Sequence, residues 1–252
     1  MNTNSNTYTI IYTTFVVVVV AAVLALVSQV LKPRQEANEK AGTISQILTA
    51  AQFEFDASSN EAILDFYKAN IGEAAIVNAQ GETVKTLDSQ NAEIVTTAGL
   101  KVQNYKFADG SYEIPVYKFN NGTSVVPVYG AGLWGPVWGY IAVAGDLRTI
   151  VGAYFDHAGE TPGLGGKIKD DPAFRAQFVG KTIDYTAETP FQISKGGSAA
   201  ANGVDAITGA TMTTKGVDAA VNAWLSAYRN ALVPAAEEIV DSTAAPVSET
   251  IE

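Results

Sequence analysis

The longest uncharged apolar run of the chain covers residues 10–31. A helix of roughly 20 such residues is long enough to cross the hydrocarbon core of a bilayer. The run exceeds the ~7–15 apolar residues of a cleaved signal peptide, and neither a preceding basic residue nor a clear cleavage site accompanies it. We therefore predict a retained transmembrane helix over 10–31, with residues 1–9 as a short tail in front of it.

Helical periodicity, with apolar residues every three to four positions, recurs after the anchor. The first case lies in a connecting segment over 32–59, which either continues the anchor helix or follows a break at Pro33. The others are residues 60–70 and a broad apolar face over 217–232. A further short helix is expected to open at Asp171, which suits an N-cap because a proline follows it.

Extended segments fill the middle of the chain, where β-branched and aromatic residues alternate with glycine and asparagine. These segments are 74–84 (with a turn around Gly81), 112–119, 122–130, 137–145, 148–157 and 191–197. Because helices and strands do not alternate regularly, the pattern predicts an α+β fold. It consists of a single N-terminal transmembrane helix followed by one mixed α/β domain over 60–234. Residues 235–252 are acidic and rich in Ala, Ser and Thr, and we expect a frayed tail.

Charge and composition exclude several classes of function. The 252 residues carry a formal net charge of −10, which argues against nucleic-acid binding because that requires a basic face. The chain has no cysteine, so it offers no thiolate metal site or iron–sulfur cluster, and we predict no metal site. It has one histidine, His157, no G-x-S-x-G elbow and no base next to its threonines, so we predict no catalytic residue.

Two glycine-rich segments are candidates for ligand binding. Residues 131–140, AGLWGPVWGY, suit either a slot for a planar ligand or a hairpin with two core tryptophans. The residues by themselves favour the hairpin. Residues 159–166, GETPGLGG, form either a loop that approaches a ligand closely or a long surface turn.

A third segment, residues 205–216, has the sequence DAITGATMTTKG. We expect a helix to begin close after Thr211, with Thr213 or Thr214 as its N-cap. Helix N-termini bind phosphate because their first N–H groups have no intrahelical acceptor. Asp205 is expected to accept hydrogen bonds from N–H groups of the turn in this segment and so to fix the loop in front of the helix. Capping accounts for one or two of the four threonines and leaves the others unexplained.

The first seven residues of this segment, DAITGAT, fit the pattern Asp-x-x-[Ser/Thr]-Gly-Ala-[Ser/Thr] and resemble the flavinylation motif of the FMN-binding domain family. The resemblance implies that the phosphate of FMN is esterified to Thr211. It also implies a recognition framework made of Asp205, Thr208, Gly209 and Ala210.

The resemblance extends over about residues 10–232. The chain is similar to the C subunit family of the Na⁺-translocating NADH:quinone oxidoreductases. The resemblance rests on the N-terminal span, on the spacing of the segments, and on the segments GLWGPVWGYIAV, GETPGLGG, AFRAQFVGK, KGG (195–197) and GVDAITGATMTTKGV. The G subunit family of the Rnf-type ferredoxin:NAD⁺ oxidoreductases shares the flavinylation motif and is the second candidate. A membrane-anchored ligand-binding domain without a flavin is the third, and it leaves residues 205–211 unexplained.

The resemblance implies an electron carrier and not the NADH-oxidising subunit, in agreement with the lack of an NADH motif in the sequence. The implied partners are the lipid bilayer, the A, B, D, E and F subunits, and a flavin transferase that uses FAD and Mg²⁺ and releases AMP. Lys195 is expected to offset the charge of the phosphate or the flavin. The residues expected to contact the flavin ring are Trp134, Glu160, Thr161, Leu164 and Gly165.

The resemblance also implies that the domain lies on the periplasmic side of a bacterial inner membrane. The basic residues after the span, Lys32, Arg34 and Lys40, would by charge alone place the domain in the cytoplasm. We follow the resemblance, because this charge bias is small and the basic residues are interleaved with Glu36 and Glu39.

Overall fold

The chain begins with one long α-helix, α1 (Asn6–Ala50). The computed structural model describes residues 6–103 and 112–232, so the predicted tail over 235–252 lies outside the described residues. At 1.5 Å per residue α1 is about 68 Å long, and it continues through Pro33 without a break. Its apolar N-terminal part is exposed, and the helix is long and apolar enough to cross a membrane.

The C-terminal turns of α1 are part of the folded domain. Ile44, Ile47 and Leu48 are fully buried, as their spacing predicted. They pack in one hydrophobic cluster with Tyr67 of the second helix, α2 (Asn60–Asn70). The apolar N-terminal part and the domain therefore share one continuous helix.

A six-stranded antiparallel sheet forms the centre of the domain. Its strands, in chain order, are β1 (Ile71–Asn78), β2 (Thr83–Thr86), β3 (Glu113–Phe119), β4 (Ser124–Ala131), β5 (Pro136–Val143) and β6 (Ile150–His157). They lie side by side in the order β2-β1-β3-β4-β5-β6. Gly81, with φ of +82°, turns the chain between the first two strands, as predicted. This mixed α/β domain after an N-terminal apolar helix confirms the predicted fold class. A short helix, α3 (Thr97–Gln103), lies between β2 and β3 in the chain.

Short elements connect β6 to the last helix. Helices α4 (Lys167–Asp170) and α5 (Pro172–Ala176) come first, and Asp171 caps α5 by accepting a hydrogen bond from the N–H of Ala173 at 2.9 Å, as predicted. Strands β7 (Gln192–Ser194) and β8 (Gly203–Asp205) then pair in parallel. The strand predicted over 191–197 is present as β7, with three residues, whereas β8 was not predicted from the sequence.

The last helix, α6 (Thr211–Leu232), covers the sheet face opposite α1 and α2. Neighbouring residues of a strand point to opposite faces of a sheet, so Tyr117 packs with α1 while Val116 packs in the α6 cluster. The hydroxyl of Tyr228 donates to the carbonyl of Pro115 at 2.6 Å and secures α6 on β3. The buried face is the one that the periodicity predicted: Val217, Ala220, Val221, Trp224, Leu225, Tyr228 and Leu232.

Candidate functional site

The flavinylation-like motif forms the connection between β8 and α6. Asp205 is the last residue of β8, and Thr211 is the first residue of α6. Gly209 has φ of +81°, a conformation that glycine adopts without strain. The N–H of Thr214 is bonded to the carbonyl of Ala210 at 2.9 Å, so helix geometry leaves the N–H groups of the residues from 211 to 213 without an intrahelical acceptor.

The four threonines of the motif occupy two different environments. Thr208 and Thr211 are exposed, whereas Thr213 and Thr214 are buried. The prediction that Thr213 or Thr214 is the N-cap is wrong, because α6 begins two or three residues earlier. The hydroxyl of Thr213 donates to Oε2 of Glu160 at 2.5 Å. The hydroxyl oxygen of Thr214 accepts from the N–H of Ile207 at 3.3 Å.

A cavity of about 200 Å³ lies where the motif meets the loop between β6 and α4. Tertiary packing thus joins two segments about fifty positions apart in the chain, and both were candidates from sequence. The cavity is lined by Leu133, Glu160, Thr161, Leu164, Gly165, Gly209, Ala210, Thr211, Met212 and Thr213.

Glu160 is the buried acidic residue of this cavity, with only 4% of its surface exposed. Its Oε1 accepts a hydrogen bond from the N–H of Trp134 at 2.9 Å, and its Oε2 accepts the hydroxyl of Thr213. Its own N–H donates to Nδ1 of His157 at 3.1 Å. Both carboxylate oxygens are therefore engaged by groups of the protein itself.

Asp205 holds a different turn from the one expected. Its carboxylate accepts from the hydroxyl of Ser198 at 2.7 Å and from the N–H of Ser198 at 3.3 Å. These hydrogen bonds, the side-chain one foremost, lower the pKa of Asp205 below its ordinary value. Asp205 and Thr208 line a second cavity of about 210 Å³ beside the first, together with Lys167.

The two tryptophans of the 131–140 segment have different roles. Trp138 is half-buried, and its Nε1 donates to Oε1 of Gln46 on α1 at 3.2 Å. Trp134 is 68% exposed and lies next to the cavity-lining Leu133. Lys195 is exposed in the turn after β7 and is not among the residues that line either cavity.

An apolar rim of Leu133, Trp134, Leu164 and Met212 lies at the cavity. These are four of the six large apolar side chains that are exposed in the described part of the chain after α1. Leu133 and Met212 were not predicted as site residues from the sequence. The available signal was a large apolar residue inside each of two glycine- and threonine-rich segments.

The chain is similar to known flavin-binding and NADH-quinone reductase proteins. Residues 132–226 match the model of the FMN-binding domain family. Over 102 residues the chain is 44% identical to the C subunit of the Na⁺-translocating NADH-quinone reductase of Pseudomonas aeruginosa, and this stretch is 38% of this chain and 39% of that relative. The corresponding protein of Vibrio anguillarum is 41% identical over 99 residues, or 38% of each chain. The matched stretch thus spans well under half the length of these relatives.

Two solved structures resemble the fold over a larger part. The C subunit of the Na⁺-translocating NADH-quinone reductase of Parabacteroides distasonis gives a TM-score of 0.66 at 36% identity, over 80% of this chain and 96% of that one. NqrC of Shewanella oneidensis gives 0.62 at 26% identity, over 78% and 97%.

Proposed function

Because the chain belongs to the C subunit family of the Na⁺-translocating NADH-quinone reductases, we propose that it is the membrane-anchored flavoprotein subunit of such a complex. In this proposal Thr211 carries one FMN through a phosphoester bond. The chain relays electrons between other subunits and does not oxidise NADH itself. The observation that carries the proposal is that Thr211, an exposed residue, lines a cavity at the first position of α6.

The surroundings of Thr211 suit a phosphate ester. The N-terminus of α6 presents N–H groups and the positive end of the helix dipole to a phosphate. Attachment forms a bond between Oγ of Thr211 and the FMN phosphorus of FAD, and it breaks the pyrophosphate bond so that AMP leaves. The hydroxyl proton passes to a base of the transferase. Since Thr213 and Thr214 are buried, burial accounts for the choice of Thr211 over these neighbours.

The size and lining of the cavity suit one edge of a flavin. Its volume of about 200 Å³ is below the ~300–1,000 Å³ of sites that enclose a whole drug-sized ligand. The rest of the cofactor would lie at the surface, within reach of a partner subunit. In this arrangement the apolar rim, with Trp134 and Leu164, contacts the ring, while Lys195 supplies a positive charge from outside the lining of the cavity. Bound FMN would supply the redox chemistry, and the protein would supply orientation and polarity.

We further propose that α1 anchors the domain on the periplasmic face of a bacterial inner membrane. Its partners there are the A, B, D, E and F subunits and, during maturation, the flavin transferase. The long apolar helix and the names of the relatives support this arrangement. Protease treatment of intact cells and of spheroplasts tests it: the domain should be cut only in spheroplasts. Protection in both preparations would place it in the cytoplasm.

The attachment is tested by intact mass after co-expression with the flavin transferase. We expect the wild-type chain to gain the mass of one FMN less one water, on the peptide that contains Thr211. Thr211→Ser keeps a hydroxyl and should be modified, whereas Thr211→Val keeps the shape and should not. Acid-stable flavin on the valine variant would contradict the assignment.

A further inference from the structure

We propose that Glu160 is a positioning residue, which clamps the turn at Trp134 and the first turn of α6 so that Thr211 is presented for modification. The inference rests on the proposed flavin attachment to Thr211. It gives Glu160 a role through the protein's own groups instead of through contact with the flavin.

The hydrogen bonds of the carboxylate join three segments that are distant in sequence. Oε1 receives the N–H of Trp134 on the β4–β5 turn, and Oε2 receives the hydroxyl of Thr213 in α6. The carboxylate itself belongs to the loop after β6, whose backbone is held by the hydrogen bond from the N–H of Glu160 to His157. All three segments contribute to the lining of the same cavity.

Two glycines show how closely the chain surrounds this carboxylate. A Cβ built on Gly132 would collide with Oε1 of Glu160, and a Cβ built on Gly165 would lie 2.5 Å from both Oε2 of Glu160 and Oγ1 of Thr213. Real Cβ atoms essentially never approach other atoms so closely. The backbone thus leaves space for the carboxylate at each of its two oxygens, which indicates one defined position.

The residues of the first turn of α6 point to the same role. Its first turn contains no acidic residue, and alanine precedes it at the capping position. Glu160 supplies a hydrogen-bond acceptor to this turn from another loop. It bonds to the hydroxyl of Thr213 and so leaves the N–H groups of the turn available to a phosphate. A buried carboxylate is costly unless it receives hydrogen bonds, so the loss of either donor should loosen the clamp.

The test compares rates of flavin attachment in the full-length chain, using purified transferase, FAD and Mg²⁺. Thr213→Val removes one hydrogen bond to Glu160. Tyr228→Phe is the matched control, since it also removes one buried hydrogen bond of α6, but at a site away from the cavity. We expect Thr213→Val to slow attachment about tenfold, and Tyr228→Phe to change it less than about twofold at a comparable loss of stability.

Variants of Glu160 extend the test. Glu160→Ala should slow attachment at least as much as Thr213→Val, and Glu160→Gln should restore most of the rate because its amide can still bond to both partners. The double variant Glu160→Ala/Thr213→Val should be no slower than Glu160→Ala alone, as expected for one shared interaction.

Three results would contradict the proposed role of Glu160. They are equal rates for Thr213→Val and wild type, equal slowing by Tyr228→Phe, and additive effects in the double variant. If Glu160→Ala does not fold, the comparison of Thr213→Val with Tyr228→Phe decides alone. A wild-type chain that acquires no flavin at Thr211 contradicts the proposed function. A modified wild type with an unaffected Thr213→Val contradicts only the role of Glu160.

Discussion

Replacing Gly165 by alanine should destabilise the domain, because the added methyl group enters the space of a buried hydrogen bond. The new Cβ would lie 2.5 Å from Oε2 of Glu160 and 2.5 Å from Oγ1 of Thr213. The φ of Gly165 is not in the left-handed region, so the effect is steric and not a backbone strain. Gly159→Ala in the same loop is the matched control: its Cβ would have the carbonyl oxygen of Trp134 as its nearest neighbour, at 3.9 Å.

The size of the effect follows from two contributions. Overfilling a packed site costs about 1–3 kcal/mol. Separating Glu160 from Thr213 weakens a hydrogen bond to a carboxylate, which contributes about 1.5–3 kcal/mol. A net loss of about 3 kcal/mol in the free energy of unfolding lowers the Tm of a domain of this size by about 6–12 °C. The control should be neutral or more stable by about 0.4–1 kcal/mol, because alanine restricts the unfolded chain.

The assay is thermal unfolding of the full-length chain in detergent, followed by the near-ultraviolet circular dichroism of its tryptophans. Gly165→Ala should melt well below both wild type and Gly159→Ala. If Gly165→Ala and Gly159→Ala melt within about 1 °C of each other, the reasoning from packing around Glu160 is refuted.

Three further predictions concern stability. Tyr228→Phe should lower the free energy of unfolding by about 1–2 kcal/mol, since the carbonyl of Pro115 loses its donor; an unchanged urea midpoint would contradict this. Lys169→Met removes the ion pair with Asp156 and should lower the free energy of unfolding by about 1–2 kcal/mol. The loss is smaller than for a fully buried pair, because Asp156 is buried while Lys169 is half exposed. The hydrogen bond to Asp156 raises the pKa of Lys169 above 10.5, so this stabilisation is present below pH 10.5 and is lost as the pH rises through the higher native pKa. Urea titrations compared between pH 8 and a pH above 10.5 should show this loss in wild type and not in Lys169→Met. Burial raises the pKa of Asp218 above 3.8, so the native state binds this proton more tightly than the unfolded state does. The free energy of unfolding therefore falls as the pH rises from 3.8 through the higher native pKa. Asp218→Asn keeps an acceptor for a backbone N–H, so it should reduce the loss of Tm between pH 4 and pH 7; an unchanged loss would exclude Asp218 as its source.

Local sequence patterns determined the elements that depend on neighbouring residues. The uncharged run in α1, the apolar face of α6 and the cap at Asp171 follow from hydrogen bonding and periodicity within one segment. The motif around Thr211 was also identified from the sequence, through its resemblance to a known family. Its role as the flavin acceptor remains a prediction.

Tertiary structure alone decided which segments meet. No sequence pattern indicated that Thr213 bonds to Glu160, that Asp205 holds the turn at Ser198, or that the end of α1 is buried beside Tyr67. Such contacts depend on how the sheet orders its strands and on which helix covers each face. A period of two or of 3.6 residues shows that a face will be buried, but it does not identify the partner that buries it.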